Sequence, residues 1–432
     1  HPSGGCLMAL KQQNFDLIAS AKSQLSNANI GWSQKARESA LSRLTDIGLP
    51  SHRDEYWKYT NPTELLTESL NVSSVEGLEH ANVFSEIEVL KIVFCDGVFS
   101  PELSDDFSSE NMSISKLSDT GDLHWAQNYY GDLEKRGQSP VSRPLAALNT
   151  ATATDGVLLH VKGKIRKPVL ILGVQNTPCE AVLHHVIKVD KDCSLTLLES
   201  GPFATKLNTV MEVFLEQGAN FEHVRTQGRD HNRWAATHIF SDIQENAKFK
   251  SFTLTANGVL TRNECVLTLS GNDCAAHVAG ASVGDGNKFH HDDTVFITHD
   301  AVACESRQVF KKVLRNGATG VFQGKILVKE GAQKTDGYQI SQSLLLDDDS
   351  QFLAKPELEI YADDVVCSHG STSGAIDEQA LFYLCSRGIS RKDATDMLTL
   401  AFLAEAVEEI ENENVAKIIV EKISAWLSRR KN

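Results

Sequence analysis

What the chain lacks narrows its class before any motif is read. No apolar run approaches the roughly 18 residues needed to cross a bilayer as a helix. No glycine-rich P-loop or dinucleotide fingerprint occurs: Gly284-Asp285-Gly286 has neither the third glycine nor the lysine, so binding of ATP or NAD is unsupported. Basic residues are outnumbered, 42 Lys+Arg against 57 Asp+Glu for a formal net charge of −15, and no local basic stripe overrides the repulsion this sets up toward phosphate backbones. Neither nucleic acid nor a membrane is therefore expected as a partner. The nine cysteines, at 6, 95, 179, 193, 265, 274, 304, 367 and 385, contain no C-x-x-C pair. An odd, scattered set is the layout of neither a zinc site nor a secreted disulfide framework. Nothing near the start combines a basic patch, an apolar stretch and a small-residue cleavage site, so the expected compartment is reducing, the cytoplasm or an organelle matrix such as a plastid.

What is present is an ordinary globular composition over 432 residues, 41% apolar and 23% charged, enough for two or three domains. Residues 1–7 read as a processed end or a cloning scar ahead of Met8 and are set aside. Three zones follow. From Gln13 to Pro50, Leu17, Ala21, Leu25, Ala36, Ala40, Leu41 and Leu44 recur at helical spacing, with a break at Asn29-Ile30-Gly31 and a stop at Gly48-Leu49-Pro50, predicting two helices. The run Val89 to Phe94, then Asp96-Gly97 and Val98-Phe99, predicts a hairpin on a type I′ turn, and helix is expected again over 122–135.

From about Thr154 to Val366 the chain turns to short runs of Val, Ile, Leu, Phe and Thr between Gly, Asn and Asp turns. A turn pair followed by a small residue repeats at Asp192-Cys193, Gly218-Ala219, Asn246-Ala247 and Asp273-Cys274, at intervals of 26, 28 and 27 residues. Later echoes are Asn316-Gly317-Ala318, Glu330-Gly331-Ala332 and Asp348-Asp349-Ser350. One turn chemistry per period of this length marks a solenoid, with small residues where coils stack closely. A Greek-key sandwich also yields many short strands, but over 200 residues it would need an unusual number of them in one domain. The expected fold is mainly β, a central right-handed parallel β-helix flanked by helical regions. Its parts are a mixed helical domain over 8–150, the β-helix over 151–370 and a helical domain over 371–432. In the last, Ser390 to Asp393 resembles a capping box starting a helix from Ala394 to Ile410. Met397, Leu400, Ala401, Ala404, Val407 and Glu408 mark its packing face, widened by Leu398 and Phe402, and a final helix runs from Val415 to Arg430.

The candidate chemistry is sparse. Gly280-Ala281-Ser282-Val283-Gly284 matches the nucleophile elbow G-x-S-x-G, but a strand rather than a helix follows, so it reads as a small-residue corner. His290-His291-Asp292-Asp293 offers metal ligands, yet neighbours on a strand point to opposite faces; a solvated loop is expected there, as at His184-His185. Asp363-Asp364 would suit a β-helix enzyme of secreted type that cleaves polysaccharides, though no second carboxylate is placed at catalytic distance. In Val365 to His369, an extended backbone puts Cys367 and His369 on one face, a soft thiolate and an imidazole. Spacing alone makes them a buried structural pair; two ligands complete no metal site.

The stretch from Pro356 to Gly370 (PELEIYADDVVCSHG), followed by Asp377 to Ile389, resembles the C-terminal signature of the SufB/SufD family of iron–sulfur cluster assembly proteins. Phe322-Gln323-Gly324-Lys325-Ile326, Ala332 to Asp336 and the N-terminal Trp57-Lys58-Tyr59-Thr60 extend the likeness over nearly the whole chain. SufB carries its scaffold cysteine where this chain has Ser341, and a glutamate where it has Gly370, so the resemblance is to the non-scaffold branch. It implies a parallel β-helix, no enzymatic activity of its own, and a heterodimer with SufB. A SufC ATPase would dock on the C-terminal helices around Arg387, Gly388, Ala394, Met397, Leu398, Ala401 and Phe402. It also implies that His369, with Cys367 beside it, meets iron or a nascent cluster at the SufB interface. No cofactor is expected to stay on this chain alone; iron or a cluster would be transient, reduced flavin could serve the complex, and the isolated chain could form a homodimer.

Overall fold

The computed structural model describes residues 4–27, 31–67, 82–108, 111–119, 121, 124–228 and 232–429. The helical period near the start is realised as α1 (Gly4–Asn27) and α2 (Gln34–Ile47). The first begins inside the stretch set aside as a processed end, and the break at Asn29 and Ile30 lies outside the described residues. Gly48, at φ 77°, ends α2 with its N–H on the Leu44 carbonyl at 2.8 Å. A single helical turn, α3 (Thr63–Leu66), follows. Strands β1 (Leu90–Cys95) and β2 (Val98–Phe99) pair antiparallel around Asp96 and Gly97, whose φ of 48° and 79° is the type I′ geometry the dipeptide predicts. Strand β3 (Met112–Lys116) comes next.

The helix expected over 122–135 is a correction. Within the described part there is only a 3-10 turn at Trp125–Asn128 and the short α4 (Asp132–Arg136), separated by Gly131 at φ 77°. A distant residue decides this: the Glu212 carboxylate accepts the N–H groups of Gly131, Leu133 and Glu134 at 2.6, 2.8 and 3.1 Å, capping α4 from the solenoid. Helix α5 (Pro144–Thr152), started by a proline in its first turn, completes this zone.

The solenoid strands are β4 (Val157–Val161), β5 (Val169–Val174), β6 (Glu180–Val189), β7 (Ser194–Ser200), β8 (Lys206–Leu215), β9 (Asn220–Gln227), β10 (Trp234–Ile243) and β11 (Lys248–Ala256), then β12 (Leu260–Leu269), β13 (Ala275–Asp285), β14 (His290–His299), β15 (Glu305–Arg315), β16 (Thr319–Val328), β17 (Thr335–Leu345), β18 (Gln351–Ile360) and β19 (Val365–Gly374). Among the described residues they form two sheets, β19-β17-β15-β13-β11-β9-β7-β5-β1-β2 and β18-β16-β14-β12-β10-β8-β6-β4-β3. Each strand pairs in parallel with the one two places on, which is a parallel β-helix. Both sheet faces are covered, so strands such as β5 are buried along their whole length instead of alternating with water.

The turn repeat lies at one corner. Cys193, Ala219, Ala247 and Cys274 stack there, and the register continues the stack through Cys304 to Thr335. The echo at Ala332 lies in the turn at this corner, three residues ahead of the stacked place, whereas Ala318 and Ser350 fall at the other corner, between β15 and β16 and between β17 and β18. Close stacking admits only a small side chain, and the preceding turn residues Asp192, Gly218, Asn246 and Asp273 all take positive φ.

Both outer faces are roofed. Over the nine-stranded sheet lies the strap around Trp57, with the buried Arg262 guanidinium 3.9 Å from the ring centroid and donating to the Tyr56 carbonyl at 2.7 Å. Over the other sheet lie α6 (Glu378–Ser386), α7 (Arg391–Val407) and α8 (Glu413–Ser428). The capping box holds: Ser390 Oγ accepts the Asp393 N–H at 3.0 Å. The packing face of α7 is a correction. Ala394, Thr399, Leu403, Ala406 and Val407 are buried, while Met397 and Ala401 are exposed. The helix is apolar almost all round, so its period could not select a face; Val309 and Val313 of β15 did.

Candidate functional site

The two ends of the solenoid differ. At its start each sheet is closed by an antiparallel strand, β2 or β3. At its end β18 and β19 are edges, ten residues each, with no strand beyond them among the described residues. Along β19 every second side chain faces the interior of the coil: Cys367, His369, Ser371 and Ser373 lie in register over Gly337, Gln339, Ser341 and Ser343 of β17. The serines are joined, Ser341 Oγ to Ser371 Oγ at 3.1 Å and Ser343 Oγ to Ser373 Oγ at 3.0 Å.

Cys367 packs against Ile326, Val328, Leu358 and Ala362, and burial pushes its thiol above the usual range. Gly337 beneath it leaves the room: a Cβ there would stand 3.3 Å from the sulfur. His369 is exposed, over the buried Gln339. Cys367 and His369 therefore share one face at the open end, as the pleat predicts. Among the described residues no group of three or more His, Cys, Asp or Glu could hold a metal ion, so these two donors make at most half of a site.

The docking residues proposed from sequence are spread over α6 and α7. Arg387, Gly388, Met397 and Ala401 are exposed, Leu398 and Phe402 half-buried, and Ala394 is buried with no surface to offer. Gly388, at φ 86°, closes α6 by donating to the Cys385 carbonyl at 3.0 Å while Ile389 reaches Leu384 at 3.3 Å. Sequence reasoning did not single out Phe382 and Tyr383, which are 74% and 54% exposed beside Met397 at 50%. Adjacent aromatics on a one-sided helix were the available signal, since both cannot face the core. Arg387 lies over the Tyr383 ring at 4.4 Å. Among the described residues Phe382, Tyr383 and Met397 are the large apolar side chains left exposed on the C-terminal helices.

The other candidates are interior. His184-His185 and His290 to Asp293 lie in β6 and β14, not in loops: both segments are strand, because each coil must pair with its neighbours. His184 points outward to Glu212 at 2.5 Å, and His185 inward, its Nδ1 accepting the Val157 N–H at 3.0 Å. Outward Asp292 binds Arg262 at 2.7 Å, and inward Asp293 binds Lys312 at 2.7 Å. Ser282 lies in the middle of β13, not at a corner, with its Oγ 2.8 Å from His291 Nδ1. That Ser–His contact is sealed: both are about fully buried, and burial drives His291 down to about 3, so the ring stays neutral and accepts from Lys312. A second interior network joins Glu199 to His223 at 2.5 Å and His223 to Ser251 at 2.8 Å. Burial raises the Glu199 carboxyl, but His223 and Arg225 outweigh it and hold it at about 2.

A two-sheet parallel solenoid with a capped start, a bare end and helices on one flank is the architecture the sequence comparisons meet. The model for the SufBD core domain of the SUF iron–sulfur cluster assembly system matches residues 173–402, and that for the SufBD N-terminal region matches 8–171. The chain belongs to the SufBD family of iron–sulfur cluster assembly proteins. It is 27% identical to the iron–sulfur cluster assembly protein SufD of Escherichia coli over 90% of this chain and 91% of that one. To SufD of Bacillus subtilis it is 26% identical over 91% and 93%. To the chloroplastic protein ABCI7 of Arabidopsis thaliana it is 24% identical over 88% and 83%. The likeness to SufD thus runs along about nine-tenths of the chain. No helix among the described residues is long and apolar enough to cross a membrane.

Proposed function

We propose that this chain is the non-scaffold subunit of a cluster-assembly complex, without catalysis of its own. Its open coil pairs with a SufB-type scaffold, and α6 and α7 dock a SufC-type ATPase. The observation that carries the pairing is the asymmetry of the solenoid: among the described residues, the end bearing Cys367 and His369 is left without a cap while the other is closed. Unpaired edges of this length invite another strand, and a partner coil stacked there would continue both sheets. His369 would then face the partner's interior and supply one ligand to iron or a nascent cluster, with the remaining ligands from the scaffold and Cys367 as the second donor on this side.

Iron or the cluster is cargo, held only while the interface is assembled, and reduced flavin would act as electron donor to the complex. Without the scaffold, the same edges favour a homodimer. The setting is the cytoplasm or an organelle matrix, in keeping with the chloroplastic relative. A polysaccharide-cleaving activity finds less support, because Glu264, Asp292 and Asp293 are locked on Arg262 and Lys312 inside or beneath the roof.

The test is to mix the purified chain with a SufB-type and a SufC-type subunit and determine the masses of the species that form. A complex containing all three is expected. A folded chain that binds neither partner would overturn the reading.

A further inference from the structure

The corner stack contains one pair of thiols in contact. Cys274 and Cys304 occupy equivalent places on adjacent coils, one residue before the registered pair Ala275 and Glu305, and the Glu305 N–H donates to the Cys274 carbonyl at 3.0 Å. Their sulfurs are 3.5 Å apart. Preceding turn residues Asp273 and Ala303 share a positive φ of 59° and 58°, so both Cα–Cβ bonds leave the corner in the same direction. Coils in register are spaced about 4.8 Å, inside the Cα window of roughly 4.4–6.8 Å that a disulfide needs. At the same place other coils carry Ala219 and Ala247, so a methyl group satisfies the packing and the two sulfurs are not needed to fill space.

We propose that Cys274 and Cys304 form a thiol–disulfide switch, oxidised by a hydroperoxide, that staples two neighbouring coils of the solenoid. The Cys304 sulfur attacks a peroxide oxygen; the O–O bond breaks, the outgoing oxygen leaves with a proton as water or alcohol, and Cys304 becomes a sulfenic acid. The Cys274 sulfur then attacks the Cys304 sulfur. The S–O bond breaks, hydroxide takes the Cys274 thiol proton as water, and the S–S bond forms. Two thiols lose two protons and two electrons, and the peroxide receives them.

The assignment of Cys304 as the first nucleophile follows from the contact. Either sulfur can donate across the contact; with the Cys274 S–H as donor, the Cys304 thiol is lowered while Cys274 is pushed up by that same bond and by burial. Both side chains are only 1% exposed, but one turn separates them from water: Asn272 and Asp273 are exposed, and Val302 is 38% exposed. A small peroxide has that single layer to pass. Cys95, Cys179, Cys193, Cys265, Cys367 and Cys385 have no such thiol neighbour among the described residues.

The test treats the reduced full chain with hydrogen peroxide near stoichiometry, alkylates remaining thiols under denaturing conditions, and maps peptides by mass spectrometry. The expected result is a linked peptide pair joining 274 to 304, two alkylatable thiols lost, and recovery of both on reduction by dithiothreitol. Cys274→Ala should stop the reaction at a sulfenic acid on Cys304, and Cys304→Ala should give no link; the corner alanines of other coils indicate that both variants fold. Alkylation of 274 and 304 at the untreated level, while other thiols oxidise, would overturn the proposal, as would a different pairing.

Discussion

His369 is set apart from the solenoid's other histidines by its surroundings. His185, His291 and His299 are sealed between coils, where burial pushes the first and last down to about 4 and the second to about 3. Free histidine titrates near 6.5, so the unfolded chain takes up these protons first as pH falls. Stability contributed by the neutral rings is present above about pH 6.5 and lost between there and about 4, at ~3 kcal/mol for a ring held near 4. Denaturant midpoints measured at pH 7.5 and pH 5 should differ accordingly; a flat profile would show that the rings charge in place. His369, exposed on the open coil, can be changed without such a cost. His369→Ala should leave assembly of the complex intact and abolish cluster formation in cells. Unchanged cluster formation would reduce it to a packing residue.

Single elements carry two separable surfaces. On α6 and α7, Phe382, Tyr383 and Met397 lie on the side away from the solenoid, whereas Lys311 with Glu405 at 2.7 Å and Arg307 with Glu409 at 2.6 Å fasten the helices to it. Phe382→Ala combined with Met397→Glu should therefore weaken ATPase binding by roughly thirtyfold or more, the scale of a lost anchor residue, with an unchanged melting temperature. Calorimetric titration of the two purified proteins checks both halves. The strap behaves in the opposite way. Trp57 is 4% exposed under the Arg262 guanidinium, and Thr60 donates to Asp292 at 2.5 Å. Trp57→Ala should cost about 3–5 kcal/mol, read as a lower denaturation midpoint, because it also strips the cover from a buried charge cluster.

At the scale of the whole molecule, the solenoid is polarised. One end is shut by β2 and β3, and the other presents β18 and β19. Its bare edges carry Lys355, Glu357 and Glu359 and an inward Pro356, features that discourage indiscriminate pairing without filling the edge. Val366, 71% exposed on β19, faces outward beside the proposed seam. Val366→Lys should lower affinity for the scaffold subunit about tenfold, or about 1.4 kcal/mol, and leave folding unaltered; equal affinity would place the interface elsewhere.

Much of this was written in local chemistry. Turn pairs with small residues marked one corner of each coil, Asp96-Gly97 specified its hairpin, and Ser390 and Gly388 set the helix ends, because φ preferences and caps act within a few residues. Alternation placed Cys367 and His369 on one face. Other outcomes rested on contacts remote in sequence. Glu212 replaced a predicted helix with a short one, Val309 and Val313 chose the buried side of α7, and neighbouring coils turned His184-His185 and His290 to Asp293 from expected loops into strand. Above all, alternation assigns a residue to a face but not to water or protein. That the face of Cys367 and His369 is the mouth of the solenoid follows only from β18 and β19 being its last strands, with no further coil among the described residues to cover them.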